Sequence, residues 1–485
     1  MKKYDNIRSQ NIPPYISCRS YEIGTKNSKT FISNERTHEY LILDGLSSDI
    51  WYKILNDTSA EEMREFLKVN RLEDCYCDFI NELVSADLLI LDKYTLANIH
   101  KINPMPAENN AEEVRKIYKE MKKWAFKHNR LFSVKWEATY ECNQRCIHCY
   151  NPNAKERNIN DNSENSELTT LEAKKMIDEV VAEGCFNFIF TGGEVFTRPD
   201  IFELIEYAKQ KRLCVDIYTN GLILENEDVV RRIAALWIKS FDISVYSHSK
   251  DIHENITRIK DSFNKTVNAL SNLNKYGINT NIKTPLMEHT CTDYKSMNSL
   301  SQSVGTNFYV NSELIPNMNL KDKKRNAPMD LKVSEGRLIL LYLDKESPMY
   351  LGEKYITRIG KPDDIICEAL SYSVSIDPYG NIKPCIPFPT GVGNIKEQSF
   401  KEIWEGDKLK AFKKMRQKDI KHCGIYDYCE YCLKPCPALN MLETGDPIIP
   451  GKNIFCDNAK IRQKAVSFMK NKTSLQEIRE LYAMQ

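Results

Sequence analysis

The chain has 485 residues, of which 42% are hydrophobic and 28% are charged, so we expect a globular protein of two or three domains. Its formal net charge of +1 excludes general electrostatic attraction to nucleic acid as the basis of function. No apolar run could span a membrane, and the first residues lack the apolar segment of a secretory signal, so we predict a cytoplasmic protein without a membrane partner. In a reducing compartment, the 16 cysteines indicate metal or redox chemistry rather than disulfides.

The amino-terminal region combines short strands with amphipathic helices. Alternating apolar and polar residues predict strands at 29–33 and 39–43. Helical patterns follow at 47–55, 59–70 and 75–85. This order predicts a small α+β domain ahead of the rest of the chain.

The middle of the chain alternates predicted strands with predicted helices, for example the helices at 170–183 and 262–275. The strands are predicted at 131–138, 186–190, 214–219, 239–246, 278–284 and 307–310. Such alternation is typical of parallel strands joined by crossover helices. We therefore predict an α/β fold with a partial (β/α)6 barrel of the TIM type, whose chemistry lies on the loops after the strands.

Three cysteines lie on the loop after the first of these strands, in the segment ECNQRCIHCY. Cys142, Cys146 and Cys149 have the spacing C-x3-C-x2-C. Three thiolates on one short loop can hold three irons of a [4Fe–4S] cube and leave the fourth iron open for a chelating small molecule. The alternative is a tetrahedral zinc site in which His148 is the fourth ligand.

A second motif, TGGEVF, follows the next predicted strand. Gly192 and Gly193 would let the backbone approach a ligand closely, and Glu194 offers a carboxylate to an ammonium group. Together with the cysteine loop, the motif resembles the radical S-adenosylmethionine (SAM) superfamily. The resemblance implies that SAM binds the open iron, that the GGE motif contacts its amino group, and that its cleavage gives a 5′-deoxyadenosyl radical. Matching positions imply further cofactor contacts from Asn220, Ser244 and His148. The position of a family arginine that contacts the cofactor carboxylate falls at Thr257, and the neighbouring Arg258 is the candidate for that contact.

Seven more cysteines lie between residues 367 and 456, where the segment SIDPYGNIKPC predicts two strands joined by a turn. Their spacing resembles the SPASM extension that follows many peptide-modifying radical enzymes, except that Cys429 replaces a cysteine expected at Tyr426. The resemblance implies a first auxiliary cluster on Cys367, Cys385 and Cys436, and a second on Cys423, Cys429, Cys432 and Cys456. With only three cysteines, the first cluster would keep an open iron that could bind a substrate thiolate. Two zinc knuckles are the alternative.

Residues 1 to about 93 resemble the PqqD-like element fused to many maturases of ribosomally made peptides. The resemblance lies in the three-strand start, the helix that contains Trp51, and the segment 79–90. It implies a winged-helix-like domain that binds a leader peptide as an added strand and so holds the rest of the peptide near the barrel. The alternative, a nucleic-acid-binding winged helix, would need a basic helix face, which the sequence lacks.

The sequence thus predicts a radical SAM enzyme that modifies a ribosomally made precursor peptide by forming thioether cross-links. Carbon–carbon or ether cross-linking and epimerisation are alternatives, and a non-catalytic, zinc-dependent peptide-binding regulator is the alternative of another class. The expected cofactors are SAM and three [4Fe–4S] clusters, and the expected partners are a precursor peptide with a leader and an electron donor such as flavodoxin or ferredoxin. No residue is assigned as a catalytic acid or base. The predicted divisions are a peptide-recognition domain at 1–103, a linker helix at 104–130, a radical core at 131–345 and an auxiliary cluster domain at 346–485.

Overall fold

The computed structural model describes most of the chain. The described residues are 7–91, 111–151, 166–317, 327–352, 362–421, 427–432, 435–451 and 454–482. Two predicted features lie outside them: the linker segment before residue 111, and Cys423, a predicted ligand of the second auxiliary cluster.

The amino-terminal domain contains three antiparallel strands followed by three helices, as predicted. Its strands, which pair in chain order, are β1 (Ile16–Tyr21), β2 (Lys29–Asn34) and β3 (Glu39–Asp44). Its helices are α1 (Leu46–Leu55), α2 (Ala60–Val69) and α3 (Tyr76–Ser85). Helix α2 begins with a capping box, in which the Ser59 hydroxyl accepts from the Glu62 amide and the Glu62 carboxylate accepts from the Ser59 amide.

The small sheet is buried on both faces, because its strands carry apolar side chains on alternate sides. On one face, Ile16 and Ile32 pack with Trp51 of α1 in the core of the domain. On the other face, Phe31 and Tyr40 belong to a second core with helix α4 (Ala111–Lys127) and residues at the base of the barrel. The second core joins the amino-terminal domain to the barrel.

The six predicted parallel strands are present and form the partial barrel, so this prediction is confirmed. The strands, neighbours in this order, are β4 (Ser133–Glu137), β5 (Asn187–Thr191), β6 (Cys214–Thr219), β7 (Ser240–Ser244), β8 (Thr280–Pro285) and β9 (Asn307–Asn311). The helices between them are α5 (Thr170–Ala182), α6 (Ile201–Gln210), α7 (Glu227–Ala234), α8 (Lys250–Thr257), α9 (Ser262–Lys275) and α10 (Tyr294–Ser303).

Alternate residues of the barrel strands face the surrounding helices and the lumen. Val134 and Trp136 of β4 are fully buried among apolar residues of those helices. Lys135, between them in sequence, lines a cavity inside the barrel, as do Asp216 and Tyr218 of β6. The lumen is therefore polar and charged, while the outer side of the sheet forms the main apolar core.

The carboxy-terminal region extends the barrel sheet. Strand β10 (Ser373–Ile376) pairs in parallel with β4, and β11 (Asn381–Lys383) and β12 (Gly393–Asn394) continue the sheet to nine strands. The helices of this part are α11 (Glu335–Leu343), α12 (Phe400–Trp404), α13 (Asp407–Lys414), α14 (Pro437–Thr444), α15 (Ile454–Lys470) and α16 (Leu475–Leu481). The sequence predicted the β10–β11 hairpin, but not helices α12, α13 and α14, which contain only 5, 8 and 8 residues and so show little apolar periodicity.

No helix in the described ranges is long and apolar enough to cross a membrane.

The amino-terminal domain is attached to the barrel loops that precede β5 and β6, at the end opposite the cysteine loop. The Arg212 guanidinium donates to the carbonyl oxygens of Pro13 at 2.7 Å and Ile16 at 3.2 Å. In return, the Tyr21 hydroxyl donates to the Gly184 carbonyl at 2.8 Å, and the Arg19 side chain donates to the carbonyls of Cys185 and Lys211. These bonds cap backbone carbonyls that would otherwise be buried without a donor.

We expect Arg212→Ala to loosen the amino-terminal domain, because it removes charged hydrogen bonds that are each worth about 1.5–3 kcal/mol. Amide hydrogen exchange should become faster within residues 12–21. Arg232→Ala is the matched control, because this exposed arginine pairs with Glu206 and lies over the Phe202 ring, both outside the amino-terminal domain. Equal exchange rates in both variants would contradict the role assigned to Arg212.

Candidate active site

The three-cysteine loop leaves the carboxyl end of β4 and is fixed by backbone hydrogen bonds to the end of α8. The amides of Arg145 and Ile147 donate to the carbonyls of Thr257 at 2.9 Å and Ile256 at 3.0 Å. Within the loop, the Cys149 amide donates to the Cys146 carbonyl at 3.1 Å. The loop is therefore held at the rim of the barrel, where the sequence predicts the chemistry.

The thiols of Cys142 and Cys146 are partly buried and lie beside Gln144. The Gln144 amide lies 3.4 Å from Cys142 Sγ, and Cys146 Sγ lies 3.4 Å from Gln144 Oε1. Burial raises the pKa of Cys142 to about 11 and that of Cys146 to about 12, so both are neutral thiols at neutral pH unless a metal deprotonates them. Cys149 is exposed at the rim.

The donor set of Cys142, Cys146 and Cys149 fits the cluster that the sequence predicts in its chemistry, since it supplies three soft thiols on one loop. No three His, Cys, Asp or Glu side chains are gathered closely enough to hold a single metal ion in the ranges that the structure covers. The assignment of the three cysteines as iron ligands stays a prediction.

The GGE motif at the end of β5 packs directly on the cysteine loop. The amide of Gly193 donates to the Thr139 carbonyl, and that of Glu194 to the Glu141 carbonyl, each at 2.7 Å. A Cβ atom on Gly192 would lie 2.3 Å from the Thr139 oxygen, and one on Gly193 would lie 2.3 Å from the Glu141 oxygen. The two glycines therefore allow the backbone of the GGE motif to contact the backbone of residues 139–141. The sequence predicted close approach to a ligand and not this contact within the chain.

The carboxylate of Glu194 is buried and ties β5 to β6. Its Oε1 accepts from the Thr219 hydroxyl at 2.6 Å and the Phe196 amide at 3.1 Å, and its Oε2 accepts from the Asn220 amide at 2.7 Å. Desolvation raises the pKa of Glu194, while these three donors lower it. Its binding of an ammonium group stays a prediction. The structure adds a second role, because the carboxylate positions Thr219 and Asn220 at the end of β6.

Three more residues are predicted to contact SAM: Asn220, Ser244 and Arg258. The Asn220 side-chain amide donates to Asn143 Oδ1 at 2.7 Å, one residue after Cys142. Ser244 ends β7. Arg258 is exposed and ends α8 with a positive φ of 59°, next to the carbonyl that holds the cysteine loop. The structure thus places Asn220 and Arg258 beside the loop and Ser244 at the carboxyl end of β7, and the contacts of all three with SAM stay predictions.

His148 contacts an aromatic residue that the sequence analysis missed. Its ring lies edge-on to Tyr246, with ring centroids 4.6 Å apart, and Cys146 Sγ lies 3.6 Å from the Tyr246 hydroxyl. Desolvation lowers the pKa of His148 to about 4, so the ring is neutral. The Tyr246 amide donates to Nδ1 of buried His253 at 3.3 Å, which fixes the tyrosine under the loop. The sequence could have pointed to Tyr246 through its position just after the end of β7, where barrel residues that contact ligands are expected.

A cavity of about 560 Å³ lies on the lumen side of β4, β5, β6 and β10. Tyr150, next to Cys149, lines it at the cysteine-loop end, and Lys135 lines its wall. Cys367 and Cys385 of the carboxy-terminal domain line it as well. A side chain in this cavity would therefore have access to both regions.

The described carboxy-terminal cysteines lie in two neighbouring places, and their assignment as cluster ligands stays a prediction. Cys367, Cys385 and Cys436 pack around Phe388 and Ala438. Burial raises the pKa of Cys436 to about 11 and raises that of Cys385 further. Cys429, Cys432 and Cys456 line a second, small apolar cavity, which Cys436 also borders. Cys423 is outside the described residues, so the second group is described with three of its four predicted members.

Two family models match the chain at these two regions. Residues 136–290 match the radical SAM superfamily, and residues 367–433 match SPASM, an iron–sulfur cluster-binding domain. These matches imply SAM and iron–sulfur clusters as cofactors.

Relatives and solved structures agree with these matches. An AdoMet-dependent heme synthase from Methanosarcina barkeri is 28% identical over 338 residues, which cover 64% of this chain and 93% of the relative. Mycofactocin maturase MftC from Mycobacterium tuberculosis is 26% identical over 313 residues, covering 61% of this chain and 76% of the relative. The crystal structure of Streptococcus suis SuiB bound to precursor peptide SuiA has a TM-score of 0.54 at 15% identity, covering 92% of this chain and 99% of SuiB. At 15% identity, the similarity to SuiB shows a shared fold.

We expect Gly193→Ala to displace the cysteine loop, because the new Cβ would lie within 2.6 Å of two backbone oxygens that cannot move independently. The affinity for SAM, measured by calorimetry on anaerobically reconstituted protein, should fall at least about tenfold. Gly391→Ala is the control, since its Cβ would meet nothing closer than 3.4 Å. Unchanged SAM binding by the Gly193 variant would refute the close packing as a requirement.

Proposed function

Because the chain is a radical SAM enzyme with a SPASM iron–sulfur domain, we propose that it modifies a ribosomally made precursor peptide by joining a cysteine sulfur to a carbon of another residue. The observation that carries this proposal is the lumen cavity, which is bordered both by the residue next to Cys149 and by Cys367 and Cys385. A peptide side chain in the cavity could meet the radical source at one end and the auxiliary site at another.

The bound cofactors would supply the radical chemistry, which is abstraction of a hydrogen atom from the peptide by a radical derived from SAM. The chain's own residues would do the rest. Cys142, Cys146 and Cys149 would hold the radical-generating cluster, and Gly192 to Glu194 would orient SAM beside it. The walls of the lumen would position the peptide and exclude water from a reactive intermediate.

Thioether formation is supported by the composition of the first auxiliary group. Cys367, Cys385 and Cys436 are its three cysteines, and two of them border the lumen. A cluster with three protein thiolates would have one iron free for a thiolate of the peptide. Carbon–carbon or ether cross-linking and epimerisation would need no such thiolate, and remain the alternatives within this class.

The amino-terminal domain would bind the leader of the peptide, as its PqqD-like resemblance predicts. The edge of β1 is already used, because the Cys18 amide donates to the Arg212 carbonyl at 3.0 Å. Strand β3 is the last strand of the sheet, and its Leu41 is 36% exposed. An extended leader would therefore add to β3 through main-chain hydrogen bonds. The electron donor would be a small redox protein such as flavodoxin or ferredoxin.

A second candidate substrate is a tetrapyrrole, because the heme synthase relative is 28% identical over 338 residues. The amino-terminal domain favours a peptide: SuiB, whose structure was solved with its precursor peptide, matches 92% of this chain. To distinguish the two, the protein is incubated with the precursor peptide or with a tetrapyrrole, and mass spectrometry shows which of them changes in mass.

We expect Cys149→Ala to abolish production of 5′-deoxyadenosine, because two thiolates cannot hold the radical-generating cluster. Iron analysis of anaerobically reconstituted protein should give about twelve irons per chain for the wild type and about eight for the variant, at four irons per cluster. Cys291→Ala, at a buried cysteine outside all three groups, is the control and should keep both values.

Iron near zero with bound zinc in the wild type would instead favour the non-catalytic regulator. Cleavage of SAM by the Cys149 variant would show that the cysteine loop does not hold the radical-generating cluster.

We expect Leu41→Glu to weaken binding of the candidate precursor peptide encoded next to the gene, because it places a charge where the leader would bury apolar surface. The peptide affinity, measured by fluorescence anisotropy, should fall at least about fivefold, while cleavage of SAM continues. Val69→Glu, at a side chain that is 74% exposed on α2, is the control.

A point substitution is preferable to deletion of residues 1–103, because deletion would uncover Phe132 and Phe186 at the base of the barrel. Equal peptide affinity in the Leu41 and Val69 variants would exclude β3 as the leader site.

A further inference from the structure

Lys135 places a positive charge in the lumen cavity. It lies in the middle of β4, and its neighbours Val134 and Trp136 are buried on the outer side of the sheet. Its side chain lines the cavity together with Cys367 and Cys385. The Lys135 Nζ atom lies 5.8 Å from the centre of the Tyr218 ring. The ammonium therefore lies inside the barrel, on the side of the first auxiliary group.

The other charges near Lys135 are satisfied by other partners. At the cavity wall, Lys122 pairs with Glu368 at 3.0 Å. The Asp216 carboxylate accepts from the Ser240 hydroxyl at 2.6 Å. Across the lumen, Asp242 pairs with Lys283 at 3.5 Å and accepts from the Asn281 amide at 2.9 Å.

Lys135 itself forms no ion pair with any carboxylate that the structure describes. Desolvation by the surrounding protein lowers the pKa of Lys135, whereas the nearby Cys385 and Asp242 raise it. Its side chain is accessible from the cavity, so an ammonium without a paired carboxylate is available there to an anion. Cys367 and Cys385 of the first auxiliary group line the same cavity.

We propose that Lys135 binds the substrate thiolate that occupies the fourth position of the first auxiliary cluster. This inference rests on the proposed thioether chemistry and adds to it the protein group that recognises the sulfur. A thiolate there would be surrounded by the negative sulfurs of three cysteines, and the ammonium of Lys135 would offset that charge with a charge-assisted hydrogen bond. Lys135 is in this sense a specificity-determining residue: it favours a peptide residue that arrives as an anion.

The test uses the full chain, reconstituted with iron enriched in ⁵⁷Fe and saturated with SAM so that the SAM site at the cysteine loop is filled. N-acetylcysteine amide is the probe, and N-acetylserine amide is its oxygen analogue. Calorimetry measures the affinity of each probe, and Mössbauer spectroscopy of the oxidised clusters reports ligation of one iron by the thiolate. Neither measurement depends on turnover.

We expect the wild type to bind the thiol probe and not the serine analogue. Lys135→Met should lower the affinity for the thiol at least about tenfold, the size expected for loss of a charge-assisted hydrogen bond. Lys135→Arg should restore most of it, because it retains the charge. Lys283→Met is the matched control, as it removes a second lumen lysine that is already paired with Asp242. Iron content and circular dichroism identify any variant that has lost its clusters or fold.

Two outcomes separate this inference from the function on which it rests. If the wild type binds the thiol but Lys135→Met and Lys283→Met bind it equally well, the role of Lys135 is overturned and the thioether proposal stands. If the wild type shows neither binding nor a change in its Mössbauer spectrum, the open auxiliary position itself is absent, and both proposals are overturned.

Discussion

The contact between the GGE segment and the cysteine loop determines the geometry of the whole candidate site. Two backbone hydrogen bonds, from Gly193 to Thr139 and from Glu194 to Glu141, hold the ends of β4 and β5 together. The contact is possible only without side chains at Gly192 and Gly193, since a Cβ atom on either would overlap a carbonyl oxygen. Glu194 then continues the connection to β6 through its buried carboxylate. Three strand ends and the loop are thus fixed relative to one another before any cofactor binds, which is the preorganisation that radical chemistry requires.

The division of the barrel strands into an apolar and a polar side explains how one sheet supports both folding and binding. The outer side, which includes Val134 and Trp136, supplies the apolar burial that stabilises the fold. The lumen side contains charged residues such as Lys135 and Asp216, whose desolvation must be offset by hydrogen bonds, ion pairs or a ligand. Strand β10 extends the same sheet beside β4, and Cys367 and Cys385 of the carboxy-terminal region border this lumen. The barrel and the auxiliary domain therefore share one cavity.

The sequence predicted the features that depend on local pattern. Apolar periodicity located the six barrel strands, and the spacing of Cys142, Cys146 and Cys149 identified the loop. What it could not predict depends on pairing between distant segments. Parallel pairing of β10 with β4 brings together residues about 240 positions apart, and no local pattern encodes that register. Tyr246 and Lys135 were missed for the same reason: a tyrosine after a strand or a lysine within one is unremarkable until its neighbours are known.

The position of the amino-terminal domain sets a length requirement on any peptide that binds to it. The domain is fixed by Arg212 and Arg19 to the loops before β5 and β6, whereas the cysteine loop lies at the other end of the strands. The barrel strands contain 5 or 6 residues, and an extended chain advances about 3.3 Å per residue. A peptide anchored on β3 would thus need at least about six residues of spacer before its reactive side chain reached the rim. Because the barrel has a fixed height, it would select the modified residue by its distance along the peptide from the leader as well as by its chemistry.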